Sequence, residues 1–127
     1  MDYHVKTMDM RKFFRSFKYA IEGIQQAMAE QNFRFDLMFA FIVIIAGVFT
    51  DISKTEWIIL IIVIALTLSL EMINTAIERV VDLASPDQHP LAKAAKDIAA
   101  GAVLVFACAS VIIGLLIFLP KWINLWI

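Results

Sequence analysis

Three polar residues stand inside an otherwise apolar stretch, in Glu71-Met-Ile-Asn-Thr-Ala-Ile-Glu78. Offsets of three and seven put Glu71, Asn74 and Glu78 on one face of a helix. If Trp57 marks one membrane interface, a rise of about 1.5 Å per residue sets Glu71 about 21 Å inward, Asn74 about 25 Å and Glu78 about 31 Å. A hydrocarbon core is about 30 Å thick, so Glu71 would sit about 9 Å inside the far boundary, with a polar ladder leading out. A carboxylate at that depth is costly unless it is protonated, paired or hydrated. Two carboxylates can hold Mg²⁺, which favours oxygen ligands and keeps waters and substrate phosphates. A deeper carboxylate can take the proton of a hydroxyl arriving from within the lipid. The plainer alternative is polar glue, with Asn74 and Glu71 bonding a neighbouring helix.

Other chemistry-bearing residues lie near by sequence. Asp82 is one turn beyond Glu78, and Asp97 follows Lys96 where a later apolar run begins. Lys96 can meet a phosphate or anchor the helix at the interface. Further upstream, Lys12, Tyr19 and Glu30 fall within about 20° of one another on a helical wheel. They offer a cation, an aromatic platform and a carboxylate to a nucleotide, or they form part of a solvated face. There is no G-x-x-x-x-G-K-S/T, G-x-G-x-x-G or H-E-x-x-H motif, and neither H-R-D nor D-F-G occurs. His4 and His89 are too isolated to propose a metal site. The single cysteine, Cys108, sits in an apolar run and reads as a small buried hydrophobe.

The elements that must position these residues are helices in a membrane. The chain has 127 residues, of which 61% are hydrophobic and 18% charged; mean hydropathy is +0.80. So short a chain cannot hide that apolar excess in an aqueous core. Three spans are expected within a single domain covering 1–127, at 33–52, 57–81 and 97–119, the last ending at Pro120. Trp57, Trp122 and Trp126 flank the second and third spans, where an aromatic belt sits. Residues 9–31 form a separate amphipathic helix. Phe13, Phe14, Phe17, Ile21 and Ile24 fall on one side, and Arg11, Lys12, Arg15 and Lys18 on the other. Such a helix lies in the membrane interface or packs on another domain. The N-terminus lacks the apolar stretch of a signal peptide.

Net charge is -1, which argues against a basic nucleic-acid binder, and no nucleic-acid partner is expected. The cations are nevertheless sorted. Nine of the eleven Lys and Arg fall in the N-terminal arm up to the start of the first span (Lys6, Arg11, Lys12, Arg15, Lys18 and Arg34) or in the stretch from Glu78 to Asp97 (Arg79, Lys93 and Lys96), and two (Lys54 and Lys121) fall on the other side. The positive-inside rule then expects a cytoplasmic N-terminus and an external C-terminus.

The run from Glu71 to Glu78, Val81-Asp82-Leu83, His89-Pro90-Leu91-Ala92-Lys93-Ala94-Ala95-Lys96-Asp97 and Ala99-Ala100-Gly101-Ala102-Val103-Leu104 resembles the prokaryotic-type diacylglycerol kinase family. The likeness reaches back through Phe17-Lys18-Tyr19-Ala20, Gly23 and Glu30-Gln31-Asn32-Phe33-Arg34. Ser85 to Leu104, with Glu30 and Asn32, is more similar to the branch that phosphorylates undecaprenol than to the one that phosphorylates diacylglycerol. Two positions depart from the pattern: Lys12 stands where the diacylglycerol branch has arginine, and Asp36 where the undecaprenol branch has histidine.

The resemblance implies an all-α integral-membrane homotrimer of three-span subunits in the bacterial cell membrane, each with a surface helix, and with active sites shared between subunits. It implies a kinase that uses ATP with Mg²⁺ and takes its lipid alcohol from the bilayer. By position it implies that Glu71 is the catalytic base and that Glu30 and Glu78 hold Mg²⁺. Asn74, Lys96 and Asp97 match other active-site positions, with Lys96 suited to phosphate. Lys12, Tyr19 and the loop Asp87-Gln88-His89 match nucleotide contacts. Outside the resemblance, an intramembrane glutamate also suits a small transporter or channel, and the polar stripe also suits a non-enzymatic oligomer.

Overall fold

The structure is a computed structural model that describes residues 7–126. Lys6 and His4 lie outside the described residues, as does the Trp126 side chain. Four helices follow one another: α1 (Met10–Ala27), α2 (Gln31–Thr50), α3 (Lys54–Ala84) and α4 (Pro90–Trp126). The described residues contain no strand. The last three helices are long and apolar enough to cross a membrane.

Helix α1 starts at Asp9, whose carboxylate accepts from the Arg11 amide at 3.0 Å. It buries only Ala27. Phe13 packs edge-on against Phe17, with centroids 5.0 Å apart, and both rings are exposed, as are Arg11, Lys12, Arg15 and Lys18. The helix expected over 9–31 is shorter than that. The amides of Ala29 and Glu30 bond tightly to the carbonyls of Gln26 and Ala27, at 3.2 and 2.9 Å. Arg34 turns its guanidinium back to the carbonyls of Met28 and Ala29, both at 3.4 Å. That capped turn lets the chain change direction. Glu30 is therefore not on the wheel with Lys12 and Tyr19; it is the extended residue that opens α2.

Helix α2 stops where Asp51 adopts a left-handed conformation (φ 56°, ψ 53°) and returns its N–H to Gly47 O. The span therefore sits about two residues earlier than 33–52. Ser53 then opens α3 with a capping box. Its hydroxyl accepts from the Glu56 amide and its own amide donates to the Glu56 carboxylate, each at 3.2 Å. At 31 residues, α3 is about 46 Å long, so it outruns the hydrocarbon and carries its last turns, with Glu78 and Asp82, beyond the apolar zone.

Helix α4 does not stop at Pro120. A proline removes one backbone donor, but the turn after it is held from outside. Trp122 Nε1 donates to Thr50 Oγ1 at 3.0 Å, and Lys121 Nζ lies 2.9 Å from Glu56. The apolar core is at the same end of the bundle. Ile52, Leu60, Ile117 and Phe118 form it, with Val43, Ala46, Trp57, Ile64 and Ile113 around them. There α2 and α3 approach so closely that a Cβ on Gly47 would lie 2.8 Å from Trp57 Cη2. The opposite end holds a buried group of another kind.

Candidate active site

The buried polar residues are Glu71, Asn74 and Thr75, all on α3, at 4%, 6% and 8% exposure. The helical spacing turns Glu71 and Asn74 inward together, and Glu78 follows one turn later. Asn74 Nδ2 donates to Glu78 Oε1 at 3.3 Å. Asn74 Oδ1 is buried with no hydrogen-bond partner. An unpaired buried acceptor costs about 1–3 kcal/mol, and it is the group expected where a donor or cation completes the site. The start of α2 closes over this stripe. Asn32, Asp36, Glu78 and Glu30 are polar neighbours of the Glu71 carboxyl. Phe33, on the first turn of α2, is buried at 3% exposure.

Arg79 stands beside Glu78 and points to the α1–α2 turn. One arm of its guanidinium donates to Gln26 Oε1 at 2.7 Å, and the other reaches Glu30 Oε1 at 3.5 Å. The turn thus brings Glu30 to Arg79, the residue after Glu78.

Among the described residues no three metal-ligating side chains gather as a ready cage. The donor set still fits Mg²⁺, which uses one or two carboxylates and takes its other ligands from water and phosphate. Glu30 and Glu78 are the pair of carboxylates that the resemblance implies for this role, and the unpaired Asn74 oxygen is a hard donor beside Glu78.

Beyond Glu78, α3 and α4 diverge around a cleft of about 830 Å³. Asp87, Gln88, His89, Lys96 and Asp97, all singled out from the sequence, line it with Asp82 and Lys93. The loop between the helices is held locally. Ser85 Oγ donates to Asp87 O at 3.0 Å, and His89 Nδ1 accepts from the Leu91 amide at 3.1 Å, capping α4. Both lysines of the cleft are engaged: Lys96 Nζ lies 2.6 Å from Asp82 Oδ1 and Lys93 Nζ 2.6 Å from Asp97 Oδ2. A phosphate entering here meets cations already paired with carboxylates.

Lys12 and Tyr19 are not drawn into this group. Both are exposed on α1, about 22 and 12 Å along the axis from Ala27, where the helix touches the bundle. Sequence reasoning missed Arg79, Asn32 and the Asp82 partnership as parts of the site. Arg79 was visible only as a cation counted for topology, although its place next to Glu78 was a usable signal.

The family model described as prokaryotic diacylglycerol kinase matches residues 18–118. A Bacillus subtilis protein named undecaprenol kinase is 53% identical over 114 residues, covering 89% of this chain and 93% of the relative. A Synechocystis diacylglycerol kinase is 41% identical over 114 residues, covering 88% and 65%. The diacylglycerol kinase of Escherichia coli is 27% identical over 107 residues, covering 84% and 88%. The matched stretch contains the whole Glu71–Glu78 stripe, the cleft loop and the start of α2, and the chain belongs to the prokaryotic diacylglycerol kinase family.

Proposed function

We propose that this protein is an integral-membrane lipid kinase that transfers the γ-phosphoryl group of ATP to the hydroxyl of undecaprenol. The observation that carries this reading is the buried Glu71–Asn74–Glu78 stripe, with an acceptor left unpaired, in a chain of this family. The lipid rests on likeness: the relative named undecaprenol kinase is 53% identical, against 41% for the Synechocystis diacylglycerol kinase. Diacylglycerol is the second reading, favoured by the several relatives named for it.

The residues divide the work by depth. The cleft at the end of α3 and α4 receives the nucleotide, with His89, Gln88 and Asp87 at its loop and Lys96 for phosphate. Within one chain Lys12 and Tyr19 stand apart from this cleft, so their contact with nucleotide is assigned to a site shared between subunits. The lipid alcohol enters from the side. A small cavity of about 140 Å³ between α2, α3 and α4, lined by Phe39, Val43, Ile64 and Ile113 and by Thr67 one turn from Glu71, supports an apolar approach at that depth. Glu71 accepts the hydroxyl proton as the lipid oxygen forms its bond to the γ-phosphorus. The bond from that phosphorus to the bridging oxygen breaks, and ADP leaves. Asn74 orients Glu78 and offers its free oxygen. Asp97 holds Lys93 and Asp82 holds Lys96 at the cleft. Glu30 and Glu78 would hold Mg²⁺, which supplies charge neutralisation on the phosphates. Positioning and charge carry such a transfer.

The setting is a bacterial cell membrane, with the N-terminus and the cleft cytoplasmic and the C-terminus external. The exposed aromatic face of α1 lies on the bilayer. The spans expose much of their apolar surface in a single chain, which suits lipid and a homotrimer with shared sites. The test is a side-by-side assay of the purified chain in mixed micelles with labelled ATP, undecaprenol and diacylglycerol. Phosphorylated undecaprenol is expected, with loss of the product in a chelator and in Glu71→Gln. Full transfer by Glu71→Gln overturns the base assignment. No transfer to either lipid overturns the kinase reading.

A further inference from the structure

Helix α1 is weakly attached. It buries one residue, Ala27, so little apolar contact fixes its stance on the bundle. The polar tie is Arg79, and its two arms do different things. The 2.7 Å bond to Gln26 holds the last turn of α1, and the 3.5 Å contact holds Glu30, the residue that opens α2. The Arg79 backbone belongs to α3, where it is the residue after Glu78.

We propose that Arg79 is a positioning residue: its guanidinium fork seats the α1–α2 turn on α3, presents Glu30 to the Glu78 stripe and fixes the root of α1. The Glu30 part rests on the kinase reading above; the seating of the turn does not. Charge alone is a weak explanation. The Arg79 and Glu30 side chains are 50% and 42% exposed, and water screens such a pair. The planar fork is what matters, because it spans two acceptors on either side of one turn. A lysine ammonium keeps the charge but lacks that reach and plane. Because one residue holds both Gln26 and Glu30, the metal-side carboxylate and the helix that carries Lys12 and Tyr19 move together.

The experiment compares the full chain with Arg79→Ala, Arg79→Lys and Gln26→Leu in nanodiscs. Amide exchange is read along the chain, Mn²⁺ affinity by titration without nucleotide, and KM and kcat for Mg·ATP. In Arg79→Ala, exchange over residues 26–34 is expected to rise at least tenfold while protection of α3 and α4 is unchanged. Mn²⁺ affinity is expected to fall at least threefold and the KM to rise in step, with kcat changing less. Arg79→Lys recovers this only in part, and Gln26→Leu loosens the turn with a smaller change in Mn²⁺ affinity. Unchanged exchange over 26–34, or unchanged Mn²⁺ affinity, in Arg79→Ala overturns the proposal. If Arg79→Ala fails to fold, Arg79→Lys decides: wild-type exchange and Mn²⁺ affinity there overturn it equally. A wild-type chain that transfers no phosphate defeats the kinase reading and leaves the exchange result standing.

Discussion

Replacing Asn74 by alanine separates what the stripe does for folding from what it does for chemistry. The side chain is 6% exposed and makes one bond, from Nδ2 to Glu78 Oε1 at 3.3 Å. A hydrogen bond to a charged group contributes about 1.5–3 kcal/mol, and at that length the lower end applies. The same substitution removes Oδ1, which is buried without a partner and costs about 1–3 kcal/mol where it stands. The two effects oppose each other and nearly cancel, so stability should change by no more than about 1 kcal/mol. Activity should not survive in the same way. Glu78 loses the group that orients it, and a metal bound there would lose an oxygen ligand. A misplacement of about 1 Å in such a site costs about 10²-fold. Reversible unfolding in mixed micelles reads the first quantity, and initial rates with labelled ATP read the second. A variant destabilised by more than about 2 kcal/mol that keeps wild-type turnover refutes the reasoning, because Asn74 would then be a structural bond and its free oxygen of no consequence.

Two further predictions concern the surroundings of the stripe. Asp82→Asn removes the carboxylate that occupies Lys96 at 2.6 Å; an exposed pair is worth at most about 1 kcal/mol, so the KM for ATP should fall by up to about fivefold, and a rise would show that Asp82 orients Lys96 and does not compete for it. Gly47→Ala sets a Cβ 2.8 Å from the Trp57 ring and should destabilise the chain by about 1–2 kcal/mol after the gain in helix propensity; an unchanged unfolding midpoint would show that the ring moves aside freely.

The sequence made the helices legible because their signals are local. Apolar length named the spans, and offsets of three and seven placed Glu71, Asn74 and Glu78 on one face. Contacts across distant positions were not legible. Pro120 reads as an ending, and only the bonds from Trp122 and Lys121 to α2 and α3 explain why α4 continues. Glu30 reads as the last turn of a surface helix, because the wheel has no means of showing that Arg34 caps the turn before it. The partners of Arg79 lie 53 and 49 residues away, beyond any periodicity. The cleft residues were found through likeness, since Asp87, Gln88 and His89 form no pattern that physics alone would pick out.

The ties at the Trp57 end have a mechanical consequence. Gly47 against Trp57, Thr50 with Trp122 and Glu56 with Lys121 form a pivot on the far side of the membrane from the cleft. Glu71 sits about 21 Å down the lever arm from it. A splay of about 3° at the pivot moves groups at that level by about 1 Å, the displacement to which a transfer site is most sensitive. Bilayer thickness and lateral pressure act on the same arm. Turnover at the cleft end should therefore respond to the lipid packed around the Trp57 end, with the pivot converting a change in membrane shape into a change in rate.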